Sequence, residues 1–332
     1  MNKWRKSFLI GWLLFGFFLV GSTVYGYFLL QKTDNRSQVL CFPIQRESQV
    51  EKEQKNKNAQ AIFNPLLIQP VHAKEFAEAQ LHYEDIVNQW GIGAVYLPSS
   101  SIQTKILAGM SNENLMVGVG TYRADQRLGK GNYVLLAHNL VQGGGVLKNL
   151  RQTSEGSLIY ATDFANIYEY RVTKNQVVNQ SEGEVLDEPK AEETPLITFI
   201  RCEGGVNTTQ RAVVQGVFVS SYPASEADNE LKEKLGLVSI VQDQEQAVNT
   251  IVSNSIATLS DHDTTSKEHT NQSVKKSKEI NVLKEEKEVY SSFEKYCIWL
   301  VKECNDMDVL ITASVVYLLV LFGTFQWKIR VE

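Results

Sequence analysis

An uncharged run near the start of the sequence, from Phe8 to Leu30, places the strongest constraint on how this chain can fold. A helix rises about 1.5 Å per residue, so a run of this length crosses the roughly 30 Å hydrocarbon layer of a bilayer. Lys3, Arg5 and Lys6 precede the run, which is too long for the apolar core of an ordinary signal peptide. We predict an uncleaved transmembrane helix at 8–30, with residues 1–7 in the cytoplasm.

A second uncharged run extends from Val309 to Trp327 and is followed by the basic residues Lys328 and Arg330. Basic residues mark the cytoplasmic side of a membrane segment. The sequence therefore predicts a second transmembrane helix at 309–327 and a cytoplasmic tail at 328–332. The chain would cross the cell membrane twice, with everything between the two helices on the extracellular side.

The composition of the whole chain excludes several classes of protein. It has a net charge of -5, and the predicted extracellular part contains no basic blocks, which argues against a nucleic-acid partner. Hydrophobic residues make up 43% of the chain, enough for a core. Four cysteines are too few for a disulfide scaffold in a chain of this size.

Between the two membrane segments, the residue pattern changes twice. Residues 31–82 are polar at first and then partly helical, and His72 to Trp90 has one apolar face, which predicts a helix. From there to Tyr222 the pattern is one of short strands separated by glycine-rich turns. Residues 224–300 are polar again and predict a second stalk, partly helical or disordered. We predict an all-β domain at 83–223, a closed barrel or a sandwich with short helices, between two polar stalks and two transmembrane helices.

The segment TFIRCEGGVNTTQR, residues 198–211, raises the question of chemistry. A cysteine at the end of a buried strand is by default a packing residue. Cys202, however, precedes a loop, Arg211 opens the next strand, and His138 ends another strand in LLAHNL. These residue types could form one site with a thiol nucleophile, an imidazole to exchange protons and a cation for a developing oxyanion.

Two longer stretches resemble the class A sortases. IGAVYLPSSSIQTKILAGMSNENLMVGVGTYRADQRLGKGNYVLLAHN, from Ile92, is similar to the first half of their catalytic domain. LITFIRCEGGVNTTQRAVVQGVFV resembles the strands that carry their nucleophile and arginine. The resemblance implies a closed eight-stranded sortase barrel with His138 as the catalytic histidine, Cys202 as the nucleophile and Arg211 as the arginine that binds substrate and stabilises the oxyanion.

The same resemblance implies an activity and partners. Class A sortases of Gram-positive bacteria cut surface proteins at a Leu-Pro-x-Thr-Gly (LPXTG) sorting signal between Thr and Gly, and hold the product as a thioacyl enzyme. They then pass it to an amine of a peptidoglycan precursor such as lipid II, without a cofactor. A pocket for the Leu-Pro part should be apolar, and Leu136, Ile102 and Leu107 are candidates unless they belong to the core. This chain is not predicted to be the cargo, because no such motif precedes Val309.

Within the domain, the chain departs from the family pattern at three places. Arg201 stands where the family usually has threonine, which predicts a second cation beside the site and an altered substrate fit. Ala137 replaces the usual glycine or serine before the histidine. The segment that holds calcium in some members has Arg123, Gln126 and Lys130 in place of carboxylates, so we predict no metal and no calcium requirement.

Three alternatives remain beside the class A prediction. The second membrane segment and Val206-Asn207-Thr208 are similar to the pilin-polymerising class C enzymes, although their Asp-Pro-aromatic lid motif is missing and Phe63-Asn64-Pro65 is a poor substitute. A catalytically silent surface module is the second, encouraged by Arg201. An L,D-transpeptidase is the third, and IRCEGG does not match the Ser-His-Gly-x-Cys context of its cysteine.

Overall fold

The computed structural model describes residues 3–31, 40–140, 144–190, 192–204, 208–239 and 289–329. The polar stretch from 240 to 288 of the predicted second stalk, with its charge pattern KKSKEINVLKEEKE, lies outside the described residues.

Eight strands form a closed barrel. They are β2 (Gly91–Leu97), β3 (Ile102–Leu107), β4 (Val119–Thr121), β5 (Asn132–Ala137), β6 (Leu158–Thr162), β7 (Asn166–Asn179), β8 (Leu196–Cys202) and β9 (Gln210–Pro223). Their order around the barrel is β2-β3-β4-β5-β8-β9-β7-β6, and β6 pairs with β2 to close it. The predicted all-β class and the closed eight-stranded barrel are confirmed.

Alternation of side chains along the strands separates the barrel core from its outer face. On β8, Ile197 and Phe199 are fully buried inside the barrel. Ile200, between inward positions, belongs to a second apolar cluster on the outside, with Val134 and Val213 from the two neighbouring strands. This outer cluster positions the candidate site described below.

Helices cover one side of the barrel. They are α1 (Lys3–Gln31), α2 (Glu47–Gln60), α3 (Ala73–Leu81), α4 (Tyr83–Trp90), α5 (Asn112–Val117), α6 (Asn229–Leu235), α7 (Ser292–Cys304) and α8 (Met307–Ile329). The single helix expected from His72 to Trp90 is divided into α3 and α4, because His82 leaves helical geometry with φ -101° and ψ 18°. Phe76 of α3 and Val87 of α4 are nevertheless both fully buried in one cluster.

Parts of the predicted stalks belong to the folded domain. In α2 the Lys57 ammonium donates to the carbonyl of Gly91 at 2.7 Å, and Val50 is buried. After the barrel, α6 leads into β10 (Leu237–Val238), which pairs in parallel with β1 (Phe42–Pro43). α6 and β10 lie against the barrel because Leu231, Leu235 and Leu237 give them an apolar side, which a composition average over a polar segment does not register. α2 is held instead by Val50 and by polar contacts such as that of Lys57.

Of the described helices, α1 is long and apolar enough to cross a membrane, from Lys6 to Gln31. The helix pair α7 and α8 satisfies the same criteria only when the two are taken together, and they are bent by 99° at their junction. The second transmembrane segment therefore stays a prediction, carried by α8.

Candidate active site

Three strand ends bring His138, Cys202 and Arg211 to one edge of the barrel. Cys202 on β8 lies directly opposite Arg211 on β9 in the antiparallel register. On the other side of β8, the parallel strand β5 pairs Ala137 with Arg201, so His138 follows at the level of Cys202. Neighbouring strands lie about 4.8 Å apart, so these three positions are adjacent.

Strand alternation also puts the three side chains on the same face. Cys202 shares the outer face of β8 with Ile200, and His138 continues the outer positions Val134 and Leu136 of β5. The candidate residues are thus the polar end of the outer apolar cluster.

A pocket of about 340 Å³ occupies this outer face. Its roof is the single helical turn Gly183–Leu186, whose Val185 and Leu186 pack against the outer cluster. The lining residues are Pro65, Ile68, Leu115, Tyr122, Leu136, Ala137, His138, Val178, Asn179, Gln180, Glu182, Gly183, Val185, Leu186, Ile200, Arg201, Cys202 and Arg211. The volume lies in the usual range for ligand sites, and the apolar walls converge on a few polar groups.

His138 is held at both its backbone and its ring. Its N–H donates to the carbonyl of Leu115 at 2.9 Å, and its Nε2 lies 3.0 Å from Oδ1 of Asn112. The same Oδ1 accepts the backbone N–H of Gln69 at 3.1 Å, which identifies this atom as an acceptor. Nε2 must therefore carry the proton, and Nδ1 is left as the nitrogen that can accept one.

Burial lowers the pKa of the His138 imidazole. His138 is only 8% exposed, and desolvation lowers its pKa to about 4. At neutral pH the ring is uncharged, so it can act as a base toward a thiol.

Arg211 and Arg201 point in different directions. Arg211 donates from Nη1 to the carbonyl of Thr208 at 2.7 Å and from Nη2 to Oε1 of Gln180 at 2.7 Å, at the rim of the pocket. Arg201 is buried, and its guanidinium pairs with Glu203 at 2.8 Å and lies 3.4 Å from the carbonyl of Lys148. Arg201 occupies an inward position of β8 and lines the pocket at its polar end, where Glu203 neutralises its charge. The predicted second cation thus lies beside the site, and its effect on substrate fit stays a prediction.

Of the three residues expected to bind the substrate, only Leu136 lines the pocket. Ile102 and Leu107 lie outside the pocket, on β3, where every residue is buried. Ile102 faces the barrel core, and Leu107 faces the helices on the opposite side. Both therefore fill the core, which was the other reading of these residues.

Sequence reasoning missed Asn112, the Pro65 to Ile68 segment and the Gly183–Leu186 turn. Asn112 opens the short helix α5, and nothing in its local pattern distinguishes it from a surface residue near a helix start. Its role depends on the approach of β5, which is distant in sequence.

Arg123 ties the roof of the pocket to the barrel. Its guanidinium pairs with Glu188 and donates to the carbonyls of Leu186 at 3.1 Å and Asn132 at 2.6 Å. Among the described residues, no group of three or more His, Cys, Asp or Glu side chains is placed to hold a metal ion.

Comparisons with known proteins point to one family. A model of the sortase domain family matches residues 95–219. The chain is 34% identical over 125 residues to Sortase A of Listeria monocytogenes serovar 1/2a, a match that covers 38% of this chain and 55% of that protein. It thus spans little more than half the length of this relative. The crystal structure of Listeria monocytogenes sortase A aligns at 30% identity over 44% of this chain and 97% of that one, with a TM-score of 0.40.

A shorter relative is covered almost completely. The protein described as putative sortase YwpE of Bacillus subtilis strain 168 is 36% identical over 100 residues, which are 30% of this chain and 95% of that protein. The match therefore extends over nearly the whole of that relative. This chain belongs to the sortase family.

Proposed function

We propose that this chain is a class A-type cysteine transpeptidase that cleaves surface proteins at an LPXTG-like sorting signal, between Thr and Gly. The acyl part would be held on Cys202 and transferred to an amine of a peptidoglycan precursor such as lipid II. The observation that carries the proposal is that a thiol, an imidazole and a guanidinium share the outer face of three neighbouring strand ends, at the end of one apolar pocket.

In the first half-reaction the Sγ of Cys202 attacks the carbonyl carbon of the scissile amide. The thiol proton passes to His138 and from there to the departing amine, while the C–N bond breaks and a thioester forms. In the second half-reaction the acceptor amine attacks the thioester carbonyl carbon, the C–S bond breaks and a new amide forms, while the amine proton passes through His138 to the departing Cys202 sulfur. The uncharged imidazole of the resting protein suits the first proton transfer.

Arg211 is the group we assign to the developing negative charge on the carbonyl oxygen. Its guanidinium is near the thiol by strand register and already donates to a carbonyl oxygen of Thr208. A substrate carbonyl offers the same kind of acceptor.

Asn112 is a positioning residue in this mechanism. Its Oδ1 accepts the Nε2 proton of His138 and the N–H of Gln69, and so holds the ring in the tautomer that leaves Nδ1 basic. The ring could otherwise rotate or change tautomer.

The walls of the pocket suit the apolar part of the sorting signal. Leu136, Val178 and Ile200 form its floor, and Val185 and Leu186 form the roof. A leucine and a proline placed here would bury apolar surface, worth roughly 1.5–3 kcal/mol for a fully buried side chain.

Sortases are membrane-associated, and α1 has the length and composition of a membrane span. We infer that α1 and α8 both cross the cell membrane, with the barrel on the extracellular side. This arrangement keeps the pocket close to the membrane, where a sorting signal's apolar tail and a lipid-linked acceptor both reside.

Pilin polymerisation, the class C alternative, has one observation in its favour. Pro65 and Ile68 lie at the edge of the pocket, where a lid would lie. Leu66 is 88% exposed and Leu67 is also exposed, so Pro65 and Ile68 are the residues of this segment that reach the pocket. Neither is the aromatic residue of the class C lid motif, and we favour wall anchoring.

The test is mass spectrometry of the full chain in detergent with an LPXTG peptide and either oligoglycine or alanine amines. We expect a thioacyl adduct on Cys202 and a Thr-linked product, both lost in Cys202→Ala and retained in Cys304→Ala. The second variant is a matched control, because it removes a thiol outside the pocket. A folded protein that leaves every peptide intact would reject the proposal for this motif.

A further inference from the structure

The helix α7, outside the catalytic barrel, has two different faces. Its buried face carries Cys297, Ile298 and Val301, each with no exposed surface. Its outer face carries Phe293 and Trp299, which are 51% and 45% exposed. Large exposed aromatic side chains on one face of a helix are expected where that face contacts a partner or a membrane surface.

Contacts on both sides hold α7 between α1 and α3, and α3 belongs to the helices that cover the barrel. A side chain at Gly26 of α1 would lie 2.3 Å from the carbonyl oxygen of Cys297, so the two backbones are in direct contact. On the barrel side, Lys302 pairs with Glu78 of α3 at 3.1 Å. The position of α7 relative to the barrel is therefore determined by packing and not by a linker.

Ion pairing continues just beyond the end of α7. Asp306 pairs with Lys74 of α3 at 2.6 Å, and Asn305 donates to the hydroxyl of Tyr27 at 2.6 Å. The junction between α7 and α8 thus lies beside both α3 and the upper end of α1.

α1 and α8 are the two long apolar helices, and the level of α7 is where their surfaces become exposed. Above this level one face of α1 is covered by protein, since Leu29 and Leu30 are buried while Phe28 is 47% exposed. Below it α1 is exposed, with Phe17 at 75%. α8 leaves the end of α7 at 99° and runs back along α1, where Tyr317 stacks on Trp12 with ring centroids 5.3 Å apart.

Aromatic rings join α7 to the exposed part of α1. Between ring centroids, Phe293 lies 6.5 Å from Phe18 and 6.1 Å from Tyr25, and Tyr296 lies 6.4 Å from Phe18. Tyrosine and tryptophan are enriched at the boundary between the lipid tails and water. This belt marks the level at which α1 passes from lipid to protein.

We propose that α7 is an interfacial helix, which lies in the outer surface of the lipid bilayer with Phe293 and Trp299 among the headgroups and seats the barrel on the membrane. The occupant of its outer face is lipid, because Phe293 meets Phe18 and Tyr25 on the exposed apolar surface of α1. The proposal rests on the membrane anchoring proposed above but not on the transpeptidase activity. Its consequence is that the pocket stands at a set height above the bilayer.

The experiment measures the depth of single tryptophans in the full chain reconstituted in phosphatidylcholine vesicles. Three variants each keep one native tryptophan, Trp299, Trp12 or Trp90, and carry phenylalanine at the other four. Fluorescence is quenched by lipids brominated near the headgroup, by lipids brominated near the end of the acyl chains, or by acrylamide in the water.

We expect Trp299 to lose more fluorescence to the shallow brominated lipid than to the deep one. Trp12, midway between Lys6 and the contact of Phe18 with α7, should show the reverse order. Trp90, at the end of α4, should respond to acrylamide and to neither lipid. The proposal is overturned if Trp299 behaves like Trp90, which would place α7 in water, or like Trp12, which would make it part of a membrane span.

A second reporter guards against a variant that fails to fold. Phe293→Trp in a background without other tryptophans reads the same surface at the other end of α7, and we expect the same shallow quenching. Cys202 thioacylation measured on the same vesicles is a separate readout, so loss of activity with shallow Trp299 quenching would reject the enzyme proposal alone.

Discussion

The single most consequential residue environment is that of His138. Its ring is nearly buried, uncharged at neutral pH and hydrogen-bonded through Nε2 to Asn112. Desolvation therefore keeps the ring uncharged, and the side-chain amide of Asn112 determines which ring nitrogen carries the proton.

The titration of His138 is directly measurable. Its folded-state pKa of about 4 lies below the ordinary 6.5, so the folded state gives up stability as the pH falls from 6.5 toward 4. At about pH 5 the loss should be roughly 2 kcal/mol relative to neutral pH. An NMR titration of the five histidines, with His138→Gln to identify the resonance, should show one ring that stays neutral at pH 5. A His138 resonance that titrates near 6.5 would contradict the buried environment.

Substitution of Asn112 tests the positioning role. We expect Asn112→Ala to lower kcat roughly tenfold with little change in KM, because the ring loses its orientation and not its substrate. Asn112→Asp should instead raise the pKa of His138, because a carboxylate stabilises the imidazolium, and shift the acid limb of the pH–rate profile to higher pH. If Asn112 only stabilised the fold, neither the pH profile nor the ratio of the two kinetic constants would change.

At the scale of elements, the roof of the pocket depends on contacts from another loop. The turn Gly183–Leu186 packs Val185 and Leu186 on the outer cluster, while Arg123 from the β4–β5 loop binds the Leu186 carbonyl and Glu188. The turn is a single helical turn in a long connection, so its own hydrogen bonds are too few to hold it.

Removal of this tether should affect substrate binding first. We expect Arg123→Ala to raise KM several-fold with a smaller effect on kcat, because the roof loses its anchor while the strand ends remain in place. Lys190→Ala is the matched control, since it removes a positive charge from the same connection without a contact to the roof. Steady-state kinetics with the LPXTG peptide decide the matter: equal KM values for the two variants would show that the tether is not needed.

At the scale of the whole molecule, the folded unit is larger than the barrel. Lys105 on β3 is fully buried, donates to the carbonyl of Leu235 at 3.3 Å, and lies 5.2 Å from the Phe42 ring centroid. The partners of Lys105 come from segments before and after the barrel. Burial lowers the pKa of this lysine to about 7, so its surroundings are dry.

A truncation series tests this larger unit. A fragment of residues 83–222 lacks α2, α3, α6 and the β1–β10 pair, whereas 40–239 retains them. We expect the shorter fragment to be less stable by several kcal/mol, because each buried side chain such as Leu235 contributes roughly 1.5–3 kcal/mol. Thermal or urea unfolding of both fragments measures the difference. Equal unfolding free energies would mean that the flanking elements are only tethers.

The sequence by itself determined the barrel class and the candidate residues. Apolar and polar residues alternate in segments such as residues 167–172, and this alternation predicts a strand because successive side chains of a strand point to opposite faces. A membrane-length run such as residues 8–30 is likewise a local property, and the family pattern around Cys202 covers adjacent strands. These signals need no knowledge of distant contacts.

The tertiary structure alone decided which side chains line the pocket. Ile102 and Leu107 have the same apolar character as Leu136, but of these three residues only Leu136 lies on the part of the outer face that lines the pocket. Asn112 acquires its contact with His138 because α5 and the end of β5 meet in space. Pairing across a barrel depends on residues far apart in the chain, and local residue type carries no record of that pairing.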